Sequence, residues 1–203
     1  MDVTDEFQRE MRRRLVAREL EAAATLAIER LGPEIMGFLL SLTRDETVAG
    51  ESFSQFCEDL WRGLPGFRGE ASVRTWAYTL ARHAAYRQLR DPHRRRGVAL
   101  SQHPVLAELE ERTRTSTLQH LRSEVREAVS RLRDALPPDD RALLVLRIDR
   151  GLSFQDIAVV LSGEPLAAEE RKRRATMLRK RLERVKAKLR EMAEQEGLLR
   201  RKA

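Results

Sequence analysis

Gly151-Leu152-Ser153-Phe154-Gln155-Asp156-Ile157-Ala158-Val159-Val160-Leu161-Ser162-Gly163 is the stretch on which the reading of this chain turns. Gly151 breaks the chain, and Ser153 with Asp156 resembles a capping box, Asp standing in the usual Glu position. The short helix started there ends near Leu161, and Ser162-Gly163 makes a turn. Upstream, Pro137-Pro138 stops one helix and Asp139 is a good N-cap for the next, which runs through Leu143, Leu144, Leu146 and Ile148 to Gly151. Downstream, a long last helix carries Leu178, Leu182, Val185, Leu189 and Met192. Helix, turn, short helix, turn, long helix is the outline of a helix-turn-helix.

The last helix is basic. Arg171 to Arg190 holds 11 basic residues and one acidic residue, Glu183. A charge run is usually a solvated face, but here a turn seats the helix and its apolar stripe points one way. Thr176, Lys180, Glu183, Arg184 and Ala187 point the other way, with Arg179 and Arg181 flanking. Arg and Lys in a major groove contact guanine edges or phosphates, and a carboxylate accepts from a cytosine amino group. Arg179, Lys180, Glu183 and Arg184 are therefore the candidate readers.

Working toward the N-terminus, the period stays helical and strand-like alternation is nearly absent. Leu118, Leu121, Val125, Val129, Leu132 and Leu136 form one stripe. About Val98 to Ser116 the periodicity is weak, and His93-Arg94-Arg95-Arg96-Gly97 after Asp91-Pro92 reads as exposed basic chain. Before it come four helices. The first begins with Phe7, Met11 and Leu15 and runs toward Leu31, stopping at Gly32-Pro33. The second carries Ile35, Phe38, Leu39 and Leu42. Ala49, Phe53, Phe56, Leu60 and Leu64 mark the third, ended by Pro65-Gly66, and Val73, Trp76, Ala77, Leu80 and Ala84 the fourth. The expectation is an all-α chain of two small helical domains, 1–91 and 118–203, joined by a partly helical linker, 92–117, with the helix-turn-helix in the second.

Bulk composition agrees. Over 203 residues, 35% are charged and only 5% aromatic, which suits thin helical cores better than a deep catalytic pocket. The net charge of +7 points to a polyanionic partner. Cys57, the single cysteine, leaves no disulfide framework and is expected to be a buried small residue. No apolar run approaches the ~18 residues of a membrane span, and the first residues lack the pattern of a signal peptide. A cytoplasmic setting without membrane insertion is expected.

Two stretches resemble a known family. Phe67-Arg68-Gly69-Glu70-Ala71-Ser72-Val73-Arg74-Thr75-Trp76-Ala77-Tyr78, continuing to Ala81-Arg82-His83-Ala84-Ala85, is similar to the promoter-melting and −10-recognition segment of extracytoplasmic-function sigma factors. Leu136-Pro137-Pro138, Arg141, Leu144, Leu146, Arg147, Gly151 to Phe154, Asp156-Ile157-Ala158 and Leu161 resemble their −35-binding domain, and Leu178 to Glu191 the end of their recognition helix. The resemblance covers about 25–91 and 125–192 in the family's order. It implies a non-enzymatic subunit that binds the clamp of core RNA polymerase and promoter DNA, often restrained by an anti-sigma factor, and needing no cofactor or metal. It places −10 contacts on Phe67, Arg68, Ser72, Arg74, Trp76, Arg82, His83 and Arg90, with Arg87 a further candidate; Trp76 also fits the apolar face beside Val73 and Leu80. Capturing a flipped base there must offset an unstacking cost of a few kcal/mol.

Three departures stand out. The family's Asp-Leu-Val-Gln-Glu docking run falls on Glu51-Ser52-Phe53-Ser54-Gln55, leaving Glu51, Phe53 and Gln55 as docking candidates. Position 83, usually Asn, is His. Between Leu161 and Leu178 lie about ten extra residues, Glu164 to Arg174, so either this insert folds aside or the reading face moves into Arg171–Arg174. Two other functions compete. A stand-alone helix-turn-helix regulator would need a dimerisation surface for two half-sites. An enzyme acting on nucleic acid would need clustered carboxylates for metal ions or a nucleophile with a base, and His83, His93, His103 and His120 are scattered.

Overall fold

The computed structural model describes residues 3–90, 104–120 and 131–198, and among them there is no strand. Helix α1 spans Val3–Val16 and α2 Leu20–Thr43. The sequence predicts one helix up to Gly32-Pro33; the chain instead breaks at Ala17–Glu19 and runs straight through the proline. The break is made by Arg18 in the left-handed region (φ 59°), with the Glu19 N–H donating to the Arg14 carbonyl at 2.9 Å. An interior proline costs about 3 kcal/mol through its lost N–H and its ring. Burial of Leu31, Ile35, Met36, Phe38 and Leu39 around it, each worth roughly 1.5–3 kcal/mol, outweighs that.

Helix α3 (Glu46–Gly63) starts on Asp45, whose carboxylate accepts from the Val48 N–H at 2.8 Å. A 3₁₀ turn at Leu64–Gly66 ends it. Helix α4 (Val73–Arg90) is opened by Ser72, whose hydroxyl accepts from the Thr75 N–H at 3.0 Å. Phe38, Phe53, Phe56, Leu60 and Tyr78 close the core between α2, α3 and α4, with the Phe38 ring edge-on to Tyr78.

Helix α5 (Pro104–His120) begins within the stretch of weak periodicity and runs past its end, through Leu118. It packs on α2 and α3 through buried Leu109 and Thr113, and the Ser54 hydroxyl donates to Glu110. A Cβ at Gly32 would fall 2.7 Å from Thr113 Cγ2, so the glycine beside Pro33 serves close helix approach rather than a stop. The basic loop from His93 to Gly97 and most of the Leu118–Val129 stripe lie outside the described residues; Leu132 and Leu136 are buried.

The last third begins with α6 (Pro138–Leu144), which continues as a π turn, Val145–Asp149. Its N-cap is Pro137, not Asp139; Pro138 occupies the first turn, where a missing N–H costs nothing. Asp139 is thereby freed for contacts elsewhere. Gly151 (φ 68°) turns the chain into α7 (Phe154–Ser162). Ser153 caps α7, accepting from the Asp156 N–H at 3.1 Å as the sequence predicts. Gly163 (φ 80°) ends α7, and α8 runs from Ala168 to Gln195.

Candidate nucleic-acid interface

Helix α8 is seated by Ala175, Leu178, Leu182 and Val185, all buried. This stripe leaves Arg179, Lys180, Glu183 and Arg184 exposed on the far side. The Arg179 guanidinium lies 5.2 Å from the ring centre of Phe154 at the start of α7, which ties α8 to α7, and Arg147 of the π turn stands over the same ring at 4.9 Å. Glu183 pairs with Lys186 one turn on, at 3.0 Å. Arg181 turns back to Asp140 at 2.6 Å and so anchors α8 to α6. The insert forms no separate element: Glu164 to Ala167 make the turn, and its remaining residues are the first two turns of α8. There Arg173 and Arg174 both pair with Glu170.

The second group of predicted contacts surrounds the Phe67–Ser72 loop and α4. Phe67 stacks on Trp76 with ring centres 4.8 Å apart, and Trp76 also fills the space beside Gly63. Trp76 is thus half-buried in local packing. Arg68 and Arg90 are exposed. Gly63, Phe67, Arg68, Gly69, Trp76 and His83 line a cavity of about 580 Å³, closed on its far side by Gly163, Pro165 and Arg171.

That far side belongs to the helix-turn-helix half of the chain, and α7 rests on α4. Arg74 pairs with Glu34 through two bonds of 2.8 and 2.7 Å and donates to the Arg150 carbonyl at 2.9 Å. The Thr75 hydroxyl donates to Asp156 at 3.1 Å. Arg82 donates to Asp139 at 3.1 Å, and the Tyr86 hydroxyl reaches the same oxygen at 2.7 Å. A Cβ at Gly163 would lie 2.4 Å from His83 Nε2. Arg74, Arg82 and His83 therefore face protein here, while Arg68 and Arg90 face solvent.

Electrostatics follow from this closure. Partial burial opposes ionisation of Asp139, but hydrogen bonds from Tyr86 and Arg82 and the charges of Arg82 and Arg181 outweigh it, holding the carboxyl below its ordinary range. Burial, then the charges of Arg82 and Arg87, lower the His83 pKa below 6.5 against the opposing pull of Asp59. Sequence reasoning did not find Glu34, Asp139 or Asp156 as partners of α4. Only the proline at the start of α6 hinted that Asp139 would be spared from capping.

The docking candidates divide. Phe53 is fully buried, with its ring end beside Gly32, so it seats α3 rather than facing outward. Gln55 donates to Asp59 at 3.1 Å, and Glu51 is partly exposed. Cys57 is buried, as expected, and burial first, then Glu110 and Glu58, push its thiol pKa up, which leaves it unreactive.

Residues 27–96 match the family described as Sigma-70 region 2, a span containing α4 and its loop. The chain is similar to an RNA polymerase sigma-H factor of Pseudomonas aeruginosa, 27% identical over 163 residues, which cover 72% of this chain and 78% of that protein. No solved structure matches it. The region 2 match, the sigma-H relative and the all-helical fold agree in supporting the function of an RNA polymerase sigma factor.

Proposed function

We propose that it is a sigma factor of the extracytoplasmic-function type, acting in the cytoplasm as a non-catalytic subunit. In this reading the Phe67–Ser72 loop and α4 engage the −10 element, and Arg179, Lys180, Glu183 and Arg184 engage the −35 element. The observation that carries it is the pairing, in one chain, of a region 2 with a helix-turn-helix whose basic face is exposed and whose apolar face is seated. Docking on the polymerase clamp falls to α3, with Glu51 and Gln55 as its outward polar groups. Among the described residues no helix is long and apolar enough to cross a membrane.

Length argues that the closed arrangement is a resting form. DNA rises 3.4 Å per base pair, so elements about 25 base pairs apart are separated by roughly 85 Å. A compact 203-residue body has a radius of gyration of about 17 Å, hence a diameter of roughly 45 Å. Reading both elements requires α7 to leave α4, and core polymerase, by holding the two halves apart, would drive that separation. An anti-sigma factor would act oppositely, by favouring a covered α4. The test is transcription in vitro: core enzyme plus this protein initiates at discrete sites on genomic fragments, and core enzyme alone does not.

A further inference from the structure

Helix α5 stands between the two halves in sequence, and in space it lies on the seam between α2 and α3. Leu109 and Thr113, four residues apart and so on one face, are both buried there. Beside them Glu110 accepts from the Ser54 hydroxyl of α3. On α2, a Cβ at Gly32 would fall 2.7 Å from Thr113 Cγ2 and 3.4 Å from the end of the Phe53 ring. Gly32, Phe53 and Thr113 therefore meet at one point of the seam. Cys57, one turn beyond Ser54, is also fully buried, and the Glu110 charge contributes to the rise in its pKa. Phe53, Ser54 and Cys57 share a side of α3 by their spacing, and α5 covers it. Phe53 and Ser54 are also the third and fourth residues of the Glu51–Gln55 docking run.

We propose that α5 is an autoinhibitory strap: it occupies the part of α2 and α3 that the polymerase clamp takes, and it leaves that seam before docking. The inference rests on the reading of α3 as the docking helix. It is separate from the contact of α7 with α4, which covers the DNA-binding side of the first half and not the polymerase side. The hold is suited to release. Among the described side chains of α5 only Leu109 and Thr113 are buried, and a helix of 17 residues is marginal in water on its own. Displacing α5 uncovers little apolar surface and lets the helix melt. While it is seated, only a fraction of the molecules is competent to dock, and the apparent affinity for core enzyme falls by that fraction.

The experiment titrates the full-length protein with core RNA polymerase and reads binding and energy transfer together. Dyes are attached through Glu21→Cys on α2 and Glu111→Cys on α5, both at exposed positions, while buried Cys57 stays unlabelled. Transfer is expected to fall as core enzyme binds. Thr113→Asp, which puts a charge into the seam, is expected to bind core about tenfold more tightly, with transfer already low before core is added. Glu110→Ala, at a half-buried position, removes only the acceptor of Ser54 and is expected to tighten binding about threefold. Glu51→Arg tests the docking reading itself and is expected to weaken binding about tenfold. Constant transfer on binding overturns the strap. So do α5 variants that bind core no more tightly than the wild type while Glu51→Arg binds weakly, a result that leaves docking on α3 standing. Equal binding by Glu51→Arg and the wild type overturns the docking reading and the inference with it.

Discussion

Asp139, in the first turn of α6, accepts a hydrogen bond at 3.1 Å from Arg82, in the middle of α4. The pair joins the two halves of the protein across 57 residues and occupies a guanidinium that the −10 reading assigns to DNA. Arg82 is largely buried in the closed form while Asp139 is partly exposed, so the contact is neither a screened surface pair nor a sealed one.

Asp139→Ala removes the acceptor for both Arg82 and Tyr86. The closed form should lose on the order of 1 kcal/mol, and the free protein should bind duplex DNA up to about fivefold more tightly. Fluorescence energy transfer between labels on α3 and α8, with a DNA titration alongside, reads both effects. Unchanged transfer would show that this pair does not hold the halves together.

Gly163→Ala places a methyl group against His83 at a residue with φ 80°. Backbone strain alone should cost about 1 kcal/mol, and the clash adds to it. Combining it with His83→Ala should recover the clash and leave the backbone cost, whereas Gly66→Ala, with open space around it, should melt like the wild type. Thermal melts of the four proteins check the pattern.

The pH dependence of closure has a definite sign. His83 has its pKa lowered in the closed form, so closure favours the neutral imidazole. Closure should be unaffected above pH 6.5 and should weaken as pH falls through 6.5 toward the lowered value, where the loss becomes complete. Energy transfer followed from pH 8 to 5.5 should show this loss in the wild type and not in His83→Asn. Asp139, whose pKa is also lowered, supports closure above the usual carboxylate range and loses that effect only at more acid pH.

On α8, Arg184→Ala and Lys180→Ala should each weaken promoter binding by the holoenzyme by roughly 1–3 kcal/mol, if they read bases or held phosphates at the −35 element. Lys186→Ala, which removes the partner of Glu183, should cost far less. Binding measured on promoters with altered −35 sequence distinguishes base reading from phosphate contact.

Much of the second half was legible because its signals are local. Ser153 as cap, Gly163 as turn and the stripe Leu178–Leu182–Val185 each act within one or two helical turns. The first half hid two features. The break between α1 and α2 rests on Arg18 in a left-handed conformation with no glycine to announce it. Pro33, a strong local stop signal, is overridden by the core around it. The sequence indicated two separate groups of candidate residues, but not that they lie against one another, because nothing in local periodicity links Arg82 with Asp139 or Thr75 with Asp156. Phe53 shows the converse: it stood both in the apolar stripe of α3 and in the docking run, and its full burial favours the stripe.

The most direct measurement is assembly of the purified protein with core RNA polymerase, followed by transcription from genomic promoter fragments. The account predicts a stable complex that initiates at discrete sites and loses most of that initiation in Arg184→Ala. Sequence-specific DNA binding by the protein alone, with no polymerase association and no directed initiation, would contradict it and identify a stand-alone regulator.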